Sequence, residues 1–352
     1  MNFEVILEEF DANPLSYWNI KKSCKNKREK RIVYVNGVKS CNLNSDLASN
    51  KEELEKITNL HGKDSMKEYI NKLIPGSFGL LYDFELTSPY FSKDDDEFYI
   101  IDNPIMKEKV WKVPMLRGSS WKGALLKAAR KTMSALLETG SVEEIFNHYL
   151  SMMRIFGTGS DDFRKVEEKI KKFIHDRSEE DEKTLTKQLM GYALKELGLN
   201  LNIKKNNQTI AEQIFEQIIK QGEEAEESGH ENFYEVRKGR AIFYPTYFDR
   251  LSLEIINPHN RRTKAGTQPI YYEVVPGDCK GTLRIIYIPY DAITAPMEEL
   301  KNQVRFDCNF LKQLIVKVFE ETGIGAKTKL GWGKATIREK NCFANMEGIC
   351  DE

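Results

Sequence analysis

The chain has 352 residues, enough for two or three domains or for one domain carrying large insertions. A hydrophobic fraction of 40% with 11% aromatics excludes wholesale disorder, because it supplies enough apolar surface to bury a core. Lys+Arg 53 against Asp+Glu 54 leaves a formal net charge of −1, which taken alone argues against a nucleic-acid binder. The sum decides little, however, since binding depends on where charge sits.

No apolar run reaches the ~18 residues of a membrane-spanning helix, and the opening MNFEVILEEFDANP lacks the basic and apolar regions of a secretory leader. The expected location is the cytoplasm, with no membrane partner. Six cysteines, Cys24, Cys41, Cys279, Cys308, Cys342 and Cys350, are scattered without a close pair and read as free structural thiols.

In chain order, residues 1–76 form a mixed N-terminal extension. It holds the basic stretch KKSCKNKREKR from Lys21 to Arg31, the short β-rich run RIVYVNG, and a helical stretch over 45–73 with Asp46 and Ser49 as candidate N-caps. Pro75 and Gly76 break that helix and mark a boundary. A core over 77–345 opens with the strand pattern GLLYDFELTSPYF and an acidic loop at Asp94, Asp95 and Asp96. A short strand at FYIIDNPI follows. WKVPMLRGSSWKGALLKAARK then turns from extended to helical, with Ser119 or Ser120 as cap and Leu125, Leu126, Ala129 and Met133 as the apolar face.

A charged helical insertion spans about 160–232. It contains 17 acidic and 12 basic residues, so the rest of the chain carries a surplus of four basic ones. The near-neutral total therefore hides a segregation of charge. Strands return at GRAIFYPTYF and at YYEVVPGDCKGTLRIIYIPY, the latter split by a turn at Pro276, Gly277 and Asp278. Between them INPHNRRTKAGTQP reads as a long loop. A helix over 297–321, buried through Leu300, Val304, Leu311, Leu314, Ile315 and Val318, leads into the glycine loop GIGAKTKLGWGKATI and a final strand. Residues 346–352 are a tail. The order β–α–(helical insert)–β–β–β–α–β predicts an α+β, ferredoxin-like core of two split β-α-β units.

Two segments carry binding chemistry. The glycine loop, with Gly323, Gly325, Gly331 and Gly333, matches neither a Walker A loop nor a dinucleotide fingerprint. Its interleaved Lys327, Lys329 and Lys334, with backbone amides, suit a phosphodiester chain. The helix start at Gly118, Ser119 and Ser120, beside Arg117, Lys122, Gly123, Lys127, Arg130 and Lys131, offers amide groups to phosphate. Asp102, in an Asp-Asn-Pro turn, reads by itself as a turn former.

These pieces, in this order, resemble the RAMP superfamily, the repeat-associated proteins of CRISPR effector complexes. The likeness rests on Ile101-Asp102-Asn103-Pro104, the segment PMLRGSSWKG from Pro114 to Gly123, Phe156-Gly157, the loop with Asn260 and Arg261, Glu273 to Gly277, and GIGAKTKLGWGK. It implies an RNA-recognition-motif-like fold that grips guide RNA in a filament with other CRISPR effector subunits and meets complementary target RNA. By the resemblance, RNA would lie along Arg117, Ser119, Ser120, Lys122, Lys127, Asn260, Arg261, Arg262, Lys327, Lys329 and Lys334. Asp102 would cleave target RNA with Mg²⁺ or another divalent cation. The segment EIINPHN, with Pro258 and His259, resembles instead the terminal, non-cleaving subunit of the type III-B complex, which implies a capping subunit that only binds RNA. A third alternative is a metal-independent endoribonuclease that processes precursor guide RNA, with His259 as general base.

Overall fold

The computed structural model describes residues 43–57, 62–94, 101–158, 161–175, 179–196, 200–204, 208–218, 238–258, 262, 266, 269–293 and 295–350. Among them no helix is long and apolar enough to cross a membrane. The basic stretch Lys21–Arg31, the run RIVYVNG, Cys24, Cys41, Asp95, Asp96, His259, Asn260 and Arg261 lie outside the described residues.

The fold is a mixture of helices and antiparallel sheet. Its centre is a four-stranded antiparallel sheet in the order β3 (Ala241–Phe243), β7 (Lys280–Tyr287), β1 (Phe78–Leu86), β8 (Ala335–Ala344). The central strand β1 pairs with β7 from Phe78↔Tyr287 to Glu85↔Lys280, and with β8 from Phe78↔Ala344 to Leu86↔Ala335. Two small antiparallel pairs complete the strands: β2 (Met115–Leu116) with β4 (Thr246–Tyr247), and β5 (Ser252–Ile256) with β6 (Ile270–Val274).

Both faces of β1 are covered, which explains its nearly unbroken apolar sequence FGLLYDFEL. Phe78, Leu80, Tyr82, Phe84 and Leu86 point to one side, into the main core. There they meet α3 (Gly118–Thr139) and α8 (Met297–Lys317), whose Trp121, Leu125, Leu311 and Leu314 are buried. Gly79 and Leu81 point the other way, onto α2 (Lys63–Asn71). A Cβ at position 79 would lie 3.1 Å from Ile70 Cγ1 and 3.2 Å from Met66 Sδ, so α2 sits close over the sheet there and those side chains would have to give for any larger residue. On that same face Arg284 of β7 reaches Glu55 of α1 (Leu43–Ile57), Nη2 to Oε1 3.2 Å, both side chains buried.

Among its described residues, the charged insertion holds helices where its helical spacing predicts them: α5 (Asp161–His175), α6 (Glu179–Gly191) and α7 (210–218). It follows α4 (Val142–Phe156), whose Arg154 makes a buried two-pronged contact with Asp307 of α8, Nε–Oδ2 2.8 Å and Nη2–Oδ1 2.7 Å.

Several sequence expectations are corrected. The stretch 45–73 is two helices rather than one, parted near Gly62, whose φ of 90° no L side chain adopts comfortably. Asp46 and Ser49 lie inside α1, which begins at Leu43, so neither is a cap. α3 starts at Gly118 with Arg117 at the capping position and no side-chain cap hydrogen bond; Ser119 and Ser120 sit in its first turn. Ile101, Asp102 and Asn103 form a bend, as the expected turn at Asp-Asn-Pro has it, while residues 98–100 of the expected strand lie outside the described residues. The run Ser252–Ile256, to which the sequence assigned no strand and whose last residue it placed in the loop, is the strand β5. The strands β6 and β7, although joined by the turn at Pro276–Asp278, do not pair with each other; each joins a different sheet. Not all cysteines are free: Cys342 and Cys350 form a disulfide. Their spacing hides this, because the chain reverses after β8 near Gly348, which has φ 81°.

Candidate nucleic-acid interface

Four segments that are distant in sequence lie side by side. The first is residues 87–94, which leave β1. Proline at 89 removes one donor and favours extended backbone, so this segment offers its remaining polar groups to neighbours on both sides. Tyr90 exchanges two backbone hydrogen bonds with Val275, at the end of β6: Tyr90 N to Val275 O 2.8 Å and the reverse 3.0 Å. The Met106 amide donates to Ser92 O, 2.7 Å, and the Asp94 amide to Pro104 O, 3.0 Å.

The second segment is the Asp-Asn-Pro turn. Its Asn103 side chain donates to Tyr271 O, 3.1 Å, and its carbonyl accepts from the Glu273 amide, 3.0 Å. Two residues on, the Ile105 amide donates to Glu273 Oε2, 3.0 Å. Lys107 Nζ lies 2.5 Å from that same oxygen, with both side chains sealed from solvent. Burial pushes the Glu273 carboxyl up to about 8 and the Lys107 ammonium down to about 7. Asn103 and Glu273 thus stitch the turn to β6. Asp102, between these anchored residues, is exposed.

The third segment is the glycine loop, which lies against 87–91 from the opposite side. The Ala326 amide donates to Phe91 O, 2.7 Å, the Gly333 amide to Pro89 O, 2.8 Å, and the Lys334 amide to Ser88 Oγ, 2.9 Å. Glycine is demanded at Gly333, where φ is 76° and a Cβ would stand 1.9 Å from Ile324 O, and at Gly325, where it would stand 2.4 Å from Phe91 O. Gly123, by contrast, faces open space in α3. Lys327 takes the left-handed conformation (φ 63°) without being glycine, and its Nζ lies 5.3 Å from the centre of the Tyr272 ring. That ring packs edge-on to Phe91 and Trp332, with centroids 5.1 and 5.8 Å away.

The fourth segment is the approach to α3. Met115 N donates to Met106 O, 2.9 Å, tying it to the Asp-Asn-Pro segment. Tyr90 OH donates to Met115 O, 3.2 Å, and the same ring lies 2.6 Å from where a Gly325 Cβ would be. Tyr90 therefore joins the glycine loop to the start of α3. A Cβ on Gly118 would sit 2.1 Å from Phe243 O, so the helix begins pressed against the sheet edge. Trp121 Nε1 donates to Thr246 Oγ1, 3.0 Å, and that hydroxyl donates to Thr282 O, 2.7 Å, which fixes α3 to β4 and β7.

The expected binding residues divide accordingly. Lys327, Lys329 and Lys334 are exposed on the glycine loop; Arg117, Ser119, Lys122 and Lys127 are exposed on α3, with Ser120 half-buried. Partial desolvation holds the Lys122 ammonium below its ordinary value. The two groups are joined through Tyr90: Lys327 is two residues from Gly325, and Arg117 two residues from Met115. Arg262 is an exposed turn residue outside these four segments. Sequence reasoning missed Tyr90, Lys107, Tyr272 and Trp332. The only hint was polar or aromatic residues set among apolar neighbours in SPYF, IMKEKV, IYYEV and LGWGK.

Among the described residues, the groups of three or more His, Cys, Asp or Glu side chains that could together hold a metal ion comprise Cys308, Cys342 and Cys350 alone. Asp102 is not part of such a group.

The chain was compared with known proteins. No curated protein sequence matches it significantly. A solved structure described as the type III-B Cmr-beta complex bound to cognate target RNA aligns with it at TM-score 0.42 and 13% identity, over 97% of this chain and 93% of that one. A crystal structure of Cmr6 from Pyrococcus furiosus aligns at TM-score 0.30 and 15% identity, over 76% of this chain and all of that one, 100%. The sequence itself matches the RAMP superfamily over residues 53–336, a span that contains all four segments of the interface, and the chain belongs to that superfamily.

Proposed function

We propose that this protein is a subunit of a type III CRISPR effector ribonucleoprotein that binds guide RNA along the surface shared by the glycine loop and the start of α3. The observation that carries this reading is the convergence on Tyr90. Exposed Lys327, Lys329 and Lys334 flank it on one side and exposed Arg117 on the other. Ammonium and guanidinium groups along a surface, beside a helix start, suit a phosphodiester chain. The acidic insertion carries 17 acidic residues against 12 basic ones, so the rest of the chain has a basic surplus. The partners proposed are guide RNA, target RNA and other effector subunits.

In the same reading Asp102 is the residue for cutting target RNA. An exposed carboxylate fits a hard cation such as Mg²⁺ as one ligand among several, with phosphoryl oxygens of the substrate supplying others. Such a cation would offset charge on the scissile phosphate. The residues' own part is positional: Asn103 and Glu273 hold the turn so that Asp102 faces outward. A second reading, an RNA-binding capping subunit without cleavage, is favoured by that same stitching, which gives the Asp-Asn-Pro turn a structural role of its own. Two measurements test these readings, the first the RNA binding they share and the second the cleavage that separates them. Log affinity for single-stranded RNA falls steeply with log salt, with a slope near −0.7 per phosphate neutralised; a flat dependence overturns RNA binding. In the assembled particle with complementary RNA and Mg²⁺, Asp102→Ala abolishes the cut opposite this subunit; unchanged cutting assigns the subunit to capping.

A further inference from the structure

Three sulfur atoms from separate elements meet on the far side of the main core. Cys308 lies in α8 and is fully buried, Cys342 lies in β8 opposite Leu80 of β1, and Cys350 lies in the C-terminal tail. All three lie within 4.8 Å of one another. Cys342 and Cys350 are joined, while Cys308 Sγ stands 3.7 Å from Cys342 Sγ. That separation has a direct chemical meaning. Two thiolates on one tetrahedral Zn²⁺, each at ~2.3 Å, stand about 3.8 Å apart. Ordinary packing would not require three cysteines at this place, and the tail is already held by Ile349, which is 1% exposed.

We propose that Cys308, Cys342 and Cys350, once the Cys342–Cys350 bond is reduced, form a three-thiolate site for a soft divalent cation of the zinc group, with water in the fourth position. A phosphine or dithiol reductant supplies two electrons, and two protons from solvent convert the disulfide to two thiols. The cation then displaces three protons from three thiols and forms three metal–sulfur bonds. Soft thiolate ligands select Zn²⁺ over Mg²⁺ or Ca²⁺. The three thiolates leave one negative charge beyond that of the cation. The bound metal would tie the tail to α8 and β8, as the disulfide does in the oxidised chain, so tail attachment is exchanged between two chemistries according to redox state.

The test uses the full chain, reduced with a phosphine, freed of reductant without air, and titrated with Cd²⁺. The ultraviolet sulfur-to-cadmium charge-transfer band reports thiolate ligation. One equivalent is expected to bind, and a variant with Cys24, Cys41 and Cys279 all changed to Ser retains it. Cys350→Ser, in the tail and therefore harmless to the core, loses about a third of the band. It weakens binding by at least the roughly 10- to 100-fold that disturbing an outer-shell partner costs. Oxidation to the disulfide abolishes the equivalent. Absence of a stoichiometric band in the reduced chain, or unchanged affinity in Cys350→Ser, overturns the proposal.

Discussion

Lys107 and Glu273 form an ion pair across 166 residues of sequence, Nζ to Oε2 2.5 Å, with side chains 1% and 0% exposed. It is the covalent chain's substitute for a link between the Asp-Asn-Pro segment and β6. A pair this deep is costly to break from one side, because the survivor is left charged or unpaired in apolar surroundings. Glu273→Ala is expected to destabilise the fold by about 3–5 kcal/mol, whereas Lys107→Met combined with Glu273→Leu costs far less. Denaturant midpoints of the three chains measure this; equal losses in single and double variants would show that the pair contributes little as a unit.

The glycine loop and α3 supply a matched contrast. Gly333→Ala forces a Cβ to within 1.9 Å of Ile324 O at a φ of 76°, so stability falls by at least about 1–3 kcal/mol and RNA affinity falls with the displaced loop. Gly123→Ala meets open space and gains about 0.5–1 kcal/mol from the helix interior. Thermal melts of both variants check the signs.

Lys327 holds a left-handed backbone, a conformation costing roughly 1–2 kcal/mol for an ordinary residue, while its ammonium gains about 0.5–1 kcal/mol over an aromatic face. Asparagine tolerates that backbone better. Lys327→Asn therefore changes stability by less than about 1 kcal/mol, yet weakens RNA binding and shallows the salt slope by one phosphate contact. A variant with intact melting and intact slope would remove Lys327 from the interface.

Trp121→Phe deletes the indole donor to Thr246 Oγ1 in a fully buried site. The loss is expected at about 1–3 kcal/mol, and it loosens α3 against β4 without touching an exposed residue. Hydrogen exchange at the first turn of α3 should rise in parallel.

Burial pushes the Cys279 thiol up to about 12. At pH 8 its thiolate fraction is small and alkylation of the native chain is slow, becoming fast only on unfolding. Mass spectrometry after a timed iodoacetamide pulse reads this; rapid native labelling of Cys279 would contradict its burial.

Much of the framework was legible in the chain. The apolar spacing in 118–139 and 297–317 marked both core helices, because a 3.6-residue period exposes one face to the core regardless of partners. The apolar, β-rich runs in FGLLYDFEL and KGTLRIIY marked β1 and β7. The motif residues of the glycine loop were legible because only glycine accepts their backbone angles. The strand β5 was missed because its residues pair with β6 across a loop, and its half-exposed pattern carries little apolar contrast. Asp46, Ser49, Ser119 and Ser120 were read as caps from local preference, but helix starts here are set by packing, as at Gly118 against Phe243.

The sequence by itself determined the core helices, the strands β1 and β7 and the separation of basic core from acidic insertion, since each depends on neighbours within a few residues. Only the tertiary structure decided which elements meet. Glu273 and Lys107, Tyr90 and Gly325, and Cys308 and Cys342 are 166, 235 and 34 residues apart, and no local period encodes such pairs. Their contacts arise because burying both faces of β1 fixes where α2, α3 and α8 lie, and this brings the intervening loops together on one surface.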